Sequence, residues 1–458
     1  MLPHSSELTP SAQPSRQARR AAGKELRQKV PRSHHSHWQP PADRPDPISL
    51  IEQSNQQRID HLIPIRHYRM MQSPFTLLRG SAVIMAADLA TTPTTGIRVQ
   101  ACGDCHLLNF GGFATPERNL IFDVNDFDET LVAPWEWDLK RLVTSIAVAG
   151  HDLSLPKQAT SDAVLAAAQA YRMAITQYSQ MRTLEVWYAR LDASLLIEHA
   201  PDEDTRQQWT QMAARAFSRT SDRAVAQLTE RVDGQYRLID NPPLLYHPPN
   251  QPEYFESIQA VFEQYRDTLQ VDRQFLLDRY RLVDAALKVV GVGSVGTHCG
   301  VVLLLDDNED PLLLQYKEAR PSVLEPYVGT SPYSHEGERI VSGQRLMQAA
   351  SDIFLGWTSN QQGQDFYFRQ LKDMKTSIKV KGMSARRLED YAEICGAALA
   401  RAHARTGDAA MISGYLGQSN KFDLAITAFA MTYAQQVEQD YHALVTAIQS
   451  GRLAAEPG

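Results

Sequence analysis

Cysteine is scarce: Cys102, Cys105, Cys299 and Cys395 are the four in a chain of 458 residues. So few exclude a disulfide framework and point to a reducing compartment. A long apolar run is also missing, so no segment reads as a bilayer span. The N-terminus has charge but no apolar stretch of the kind a secretory signal needs. Nor is there a basic excess. Lys and Arg total 46 against 53 Asp and Glu, a net charge of -7, which argues against nucleic acid as the main partner. The expected location is cytoplasmic, with no membrane partner. No internal repeat is visible.

What is present suits a globular body. Hydrophobic residues make up 43% and charged residues 22%, enough for at least one sizeable core. Residues 1–47 are rich in Ser, Pro, Gln, Arg and His and read as a disordered basic arm. The alternative is an arm that folds over an anionic ligand. Residues 48–95 read as helical. Residues 96–150 begin with a strand near Ile97–Gln100 and contain a second at 120–124. Residues 151–284 read as helices, with a loop around Asn241-Pro242-Pro243. Residues 285–380 turn β-rich, with runs at 289–290, 301–305 and 312–316. A helix over 336–354 and a strand pair near 366–380 follow. Helices fill 384–445.

Four constellations carry chemistry. In Gly103-Asp104-Cys105-His106-Leu107-Leu108-Asn109, an Asp precedes an Asn by five positions on a loop after a strand. That is the spacing of a kinase catalytic loop: Asp104 would accept the proton of an attacking hydroxyl, and Asn109 would reach a metal ion. In Asn125-Asp126-Phe127-Asp128-Glu129, a second strand delivers carboxylates where a magnesium-binding Asp is needed. The bland reading is an exposed acidic turn. Interleaved Phe122, Val124 and Phe127 instead place Asp126 and Asp128 at a core edge, as metal ligands with Asn109. The Trp-Asp-Leu that follows resembles aminoglycoside-phosphotransferase-like kinases, in which an Asp-Leu after such a loop braces the catalytic loop, and the resemblance assigns Asp138 that role.

The third is Gly291-Val292-Gly293-Ser294-Val295-Gly296. Alone it fits a dinucleotide turn equally well. A dinucleotide turn must open a helix. Here a strand-like run, His298 to Leu305, comes next, and strand, glycine loop, strand is the hairpin that covers ATP phosphates. The backbone of Gly291, Gly293, Ser294 and Gly296 would hold phosphate. The fourth is Lys317, on a strand flanked by Leu312 to Leu314. It would contact the α- and β-phosphates and pair with a helical Glu: Glu336, Glu338 or Glu325. A lysine on an edge strand is often a solubility device, but these leucines make the strand central.

Two rivals compete. Cys102-x-x-Cys105 has redox or zinc spacing, but a second pair is absent, and packing around Asp104 is the favoured reading. His403-Ala404-Arg405-Thr406-Gly407-Asp408 also looks like a catalytic loop, but position 413 is Ser where Asn is needed. Arg66, Arg69 and Arg79 could bind an anionic acceptor, although helix-surface arginines are more often solvated or salt-bridged.

The whole chain resembles the bacterial family called domain of unknown function 2252. The resemblance rests on Arg66-His67-Tyr68-Arg69-Met70, Ser73-Pro74-Phe75, Arg79-Gly80, Cys102-Gly103-Asp104 and Asn125 to Glu129. It continues through Val290 to Thr297, Lys317-Glu318-Ala319, Gly343-Gln344-Arg345, Arg369 to Lys375 and Ala402 to Arg405, and spans about Gly23 to Tyr441. The site also resembles aminoglycoside-phosphotransferase-like kinases, with the motif order rotated. The expected fold is therefore α+β: a protein-kinase-like, two-lobed fold, circularly permuted, with a large helical lobe. The expected function is ATP- and Mg-dependent phosphoryl transfer from a bound nucleotide to an unidentified small-molecule or protein acceptor. The alternatives are a nucleotide-binding pseudokinase or regulatory module, and nucleotidyl transfer.

Overall fold

Val301, Leu303 and Leu305 face one side of their strand and Val302 and Leu304 the other, yet all five are buried. A continuous apolar run of this kind requires a sheet covered on both faces. The computed structural model describes residues 14–218, 221–371, 374 and 378–458, and it has that sheet. Six antiparallel strands lie in the order Gly356–Ser359, Asp365–Gln370, Pro311–Ala319, Cys299–Leu305, Arg281–Lys288 and Leu245–Tyr246. Helix Gln251–Asp267 covers one face through Ile258, Val261 and Tyr265. Ala224, Val225 and Leu238 pack on the other. Lys317 lies on a central strand, in register with Cys299 on one side and Tyr367 on the other.

The remaining mass is helical, so the architecture is mixed α+β. Helices Trp135–Asp152, Lys157–Tyr178, Ala385–Thr406 and Lys421–Gln449 enclose the largest core. Two of them approach so closely that a Cβ on Gly396 would lie 2.2 Å from the Ala167 carbonyl oxygen. Two small β-elements border this body: Arg98–Ala101 paired with Leu131–Pro134, and the hairpin Phe110–Ala114 with Leu120–Val124. No helix among the described residues is long and apolar enough to cross a membrane.

Four expectations need correction. The arm predicted over residues 1–47 is helical over Arg16–Lys29 and packs on helix Ala409–Leu416; its first 13 residues lie outside the described residues. Of its arginines, Arg16, Arg27 and Arg32 donate to carbonyls, and Arg19 and Arg44 pair with carboxylates. Arg27 donates to Gly414 and Tyr415 and Arg32 to Leu416, at the C-terminal end of that helix, where the helix dipole favours cations. Composition could not separate these partners.

The helical segment 151–284 also contains a hairpin, Thr229–Val232 with Gln235–Leu238, and the first half of strand Arg281–Lys288. Leu282, Ala285 and Leu287 favour helix intrinsically, but cross-strand pairing decides the state. The helix expected over 336–354 ends at Met347. The strand pair expected near 366–380 lies earlier, at Gly356–Ser359 and Asp365–Gln370, and residues 372, 373 and 375–377 lie outside the described residues.

Candidate functional site

Strand Arg98–Ala101 runs into Cys102-Gly103-Asp104. Gly103 has φ +82°, and a Cβ there would lie 2.3 Å from the Glu129 carbonyl oxygen, so both backbone and space require glycine. The turn is held from below. Asp138 accepts from the Cys102 amide at 2.7 Å and the Gly103 amide at 3.0 Å. His403 Nε2 lies 3.3 Å from the same carboxylate, and the other ring nitrogen meets Tyr171 Oη at 2.8 Å. Asp138 thus braces the loop as its position suggested. Helix Ala385–Thr406 packs against the strand that feeds the loop.

This arrangement accounts for both rival motifs. His403 is a buried support, and Asp408 caps helix Ala409–Leu416 by accepting from Ala410 and Met411 amides. Cys102, Cys105 and Asp138 bring three possible ligand atoms within 4.8 Å of one another. The carboxylate, however, already spans two amides, and burial pushes the Cys105 thiol up to about 11 and Cys102 up as well, so both stay protonated.

The Asp104 side chain points into a cleft. Its Oδ1 accepts from Arg141 at 2.5 Å, and Oδ2 lies 3.8 Å from His106 Nε2. Burial raises its pKa above the ordinary aspartate value, and nearby Asp126 adds to the shift, while Arg141 opposes it. Asn109 Nδ2 donates to the Asp104 carbonyl at 2.5 Å, leaving its amide oxygen for another partner. Asn125, which opens the acidic motif, is tied by its amide to the Asn109 carbonyl at 2.7 Å.

Lys317 reaches this cleft from the sheet. Its ammonium bonds Asp128 Oδ2 and stands 3.8 Å from Asp126 Oδ1. Burial opposes its charge, but the two carboxylates outweigh that and hold the ammonium protonated. Asp128 Oδ1 accepts from Tyr367 at 2.5 Å, so both its oxygens are engaged. Asp126 is the freer carboxylate, bonded weakly to the Asp128 amide at 3.4 Å. The expected helical Glu partner for Lys317 is not found. Glu336 pairs with Arg339 at 2.6 Å, Glu325 accepts from the Ser331 amide, and Glu338 has no ion pair among the described residues. Arg339 in turn clamps the Asp128 and Thr130 carbonyls.

The glycine segment lies alongside. The Gly291, Gly293, Val295 and Gly296 carbonyls accept from Arg69, Arg58, Arg58 and the Ile59 amide. The amides of Gly291, Val292, Gly293 and Ser294 carry no hydrogen bond among the described residues. Successive free amides in a turn form an anion-binding nest. Gly291 and Gly296 have φ +66° and +86°, so the turn needs them.

Two cavities meet here. One, of about 500 Å³, is lined by Lys317, Arg369 and the apolar Phe113, Val290, Ile353 and Phe354. The other, of about 610 Å³, is lined by Asp104, Asn109, Asp128, Glu129, Arg79 and Thr297. Asp126, Gly291 and Ser294 border both. The structure therefore brings Asp104, Asn109, Asp126, Asp128, Gly291, Gly293, Ser294 and Lys317 together. It places Gly296 behind the loop beside Arg58, and Arg69 on the outside.

Several site residues had escaped notice. Arg141 had a usable signal, because it lies one helical turn after Asp138 and shares its face. Tyr367 and Arg339 had none. Neither a curated protein nor a solved structure matches the chain. A family model described as an uncharacterized protein conserved in bacteria, DUF2252, matches residues 58–447, and the chain belongs to that family.

Proposed function

We propose that the protein is an ATP- and Mg-dependent phosphotransferase, with a kinase-like, two-lobed arrangement in permuted order. The observation that carries this reading is the junction of the two cavities. A lysine from the sheet, a nest of free amides and a pair of loops bearing Asp104, Asn109 and Asp126 converge there. Phosphoryl transfer depends on positioning and charge stabilisation, and these are the parts it uses.

The partly apolar cavity would take the nucleotide base, and the amides of Gly293 and Ser294 and the Lys317 ammonium would hold the phosphates. Asp126 and the Asn109 amide oxygen would hold magnesium, which would supply charge neutralisation. Asp128 serves as the counter-ion that keeps Lys317 charged and aimed, a task earlier expected of a glutamate. Asp104 Oδ2 takes the proton of the acceptor hydroxyl while Arg141 fixes Oδ1. The raised pKa of Asp104 suits a base that must pick up a proton near neutrality.

Incubation of the full-length protein with ATP, magnesium and a metabolite extract, followed by mass analysis, tests the reading. A product heavier by one phosphoryl group supports it. A product heavier by a nucleotidyl group overturns it in favour of the other transfer. ATP binding without any product in such extracts supports the pseudokinase alternative.

A further inference from the structure

The 610 Å³ cavity on the Asp104 side has an unusual wall. Arg58, Arg66, Arg79 and Arg320 all line it. Their hydrogen bonds go almost entirely to neutral groups. Arg58 donates to the Ser54, Gly293 and Val295 carbonyls. Arg66 donates to Asn55 and the Gly80 carbonyl. Arg320 donates to the Gln56 carbonyl at 2.5 Å and lies 4.0 Å from Glu318 Oε1. Arg79 has no hydrogen bond or ion pair among the described residues, and its Nε is buried without a partner.

The carboxylates on the same wall answer these cations only in part: Arg79 lies in the field of Asp104 and Asp126 without bonding either, and Glu318 stands 4.0 Å from Arg320. Asp104 is bound to Arg141 and Asp128 to Lys317. Glu318 is bound to His298 through both its amide and its ring. Glu129 accepts from the Val323 amide at 2.8 Å. Burial lowers Arg58 to about 10 and Arg66 well below its ordinary value, and Arg320 repels both. Desolvated cations held together against mutual repulsion are destabilising unless an anion joins them.

We propose that this wall binds the acidic group of the acceptor, which is a small compound carrying a carboxylate or phosphate beside the hydroxyl that receives the phosphoryl group. The inference rests on the phosphotransferase reading for the hydroxyl but not for the anion. Arg79 lies in the field of both Asp104 and Asp126. It therefore sets the acidic group close to the reacting hydroxyl. In the reaction, the bond between the γ-phosphorus and the β,γ-bridging oxygen breaks, and a bond from the acceptor oxygen to that phosphorus forms. The hydroxyl proton passes to Asp104 Oδ2, and ADP leaves with the bridging oxygen. A volume near 600 Å³ admits a metabolite rather than a folded protein.

Calorimetry on the full-length protein tests the proposal, with inorganic phosphate and malonate as probes. Each is titrated with and without saturating magnesium and a non-hydrolysable ATP analogue. At least one probe is expected to bind alongside the analogue. Arg79→Gln and, independently, the rim variant Arg320→Gln should weaken it roughly tenfold or more while changing analogue affinity less than about twofold. Phosphate alone assigns a phosphorylated acceptor, and malonate alone a carboxylic one. Absence of binding by both probes overturns the proposal. So does displacement of the probes by the analogue with matching losses in analogue affinity, which would assign the arginines to the nucleotide. A protein that binds a probe but no nucleotide keeps the anion site and ends the phosphotransferase reading instead. Thermal melts matching wild type establish that both variants are folded.

Discussion

Lys317 and Asp128 form an ion pair between residues 189 positions apart, one on the central sheet and the other on the acidic loop. The pair fixes the distance between the two halves of the site. It also separates the roles of two neighbouring carboxylates. Asp128 bonds Lys317 and Tyr367 directly, whereas Asp126 stands 3.8 Å from the ammonium and accepts weakly from the Asp128 amide.

The two carboxylates should therefore fail differently. Asp126→Asn is expected to abolish turnover and weaken binding of an ATP analogue roughly tenfold with magnesium, yet hardly at all without it. Asp128→Asn should weaken binding in both conditions, because it releases Lys317. Calorimetry with and without magnesium reads the difference. Equal, magnesium-dependent losses for both variants would contradict the division of roles.

Asp104→Asn should leave analogue affinity within about twofold of wild type and lower kcat by on the order of 10² to 10⁴. In the wild-type protein the base must be ionised, and burial raises its pKa. The acidic limb of kcat/KM should then lie above the ordinary aspartate value of about 4. A limb at or below that value would remove Asp104 from the role of base.

Glu129 should make stability depend on pH. Burial raises it from 4.5 to about 7. Between these values the folded chain holds a proton that the unfolded chain has released. Stability should fall as pH rises through that window and level off above it. Glu129→Gln should flatten this slope. Urea midpoints for both proteins at about pH 5 and pH 8 test the sign, and parallel slopes would refute it.

Arg401 donates to both oxygens of Asp123, at 2.7 and 2.8 Å, and to the Met347 carbonyl at 2.6 Å, with both side chains fully buried. Arg401→Met would leave a buried carboxylate without its cation and should cost about 3–5 kcal/mol. Denaturant unfolding measures this. A loss near zero would mean that Asp123 finds another partner or a proton.

How far the sequence revealed the site depended on distance along the chain. Asp104 and Asn109 lie within one short loop, and the glycine segment is contiguous, so their spacing was readable. Asp138 was recognisable because it follows the acidic loop closely. Arg401 and Asp123 are 278 positions apart, and no local pattern joins them. Lys317 was found, but its partner was sought on the following helix, since in the usual motif order the counter-ion lies downstream. Here Asp128 comes from upstream, and Glu336 is taken by Arg339. Strand Arg281–Lys288 was obscured by Ala and Leu, whose intrinsic preference the sheet overrides.

The glycine turn is tied to the helical body by four of its carbonyls, through Arg58, Ile59 and Arg69. Any opening of the cleft that moved this turn outward would have to break those bonds together. The turn is thus a fixed edge of the site, whereas the Asp128–Lys317 contact, one of several ties on the acidic loop beside those from Tyr367 and Arg339, is the one that substrate charge can compete for.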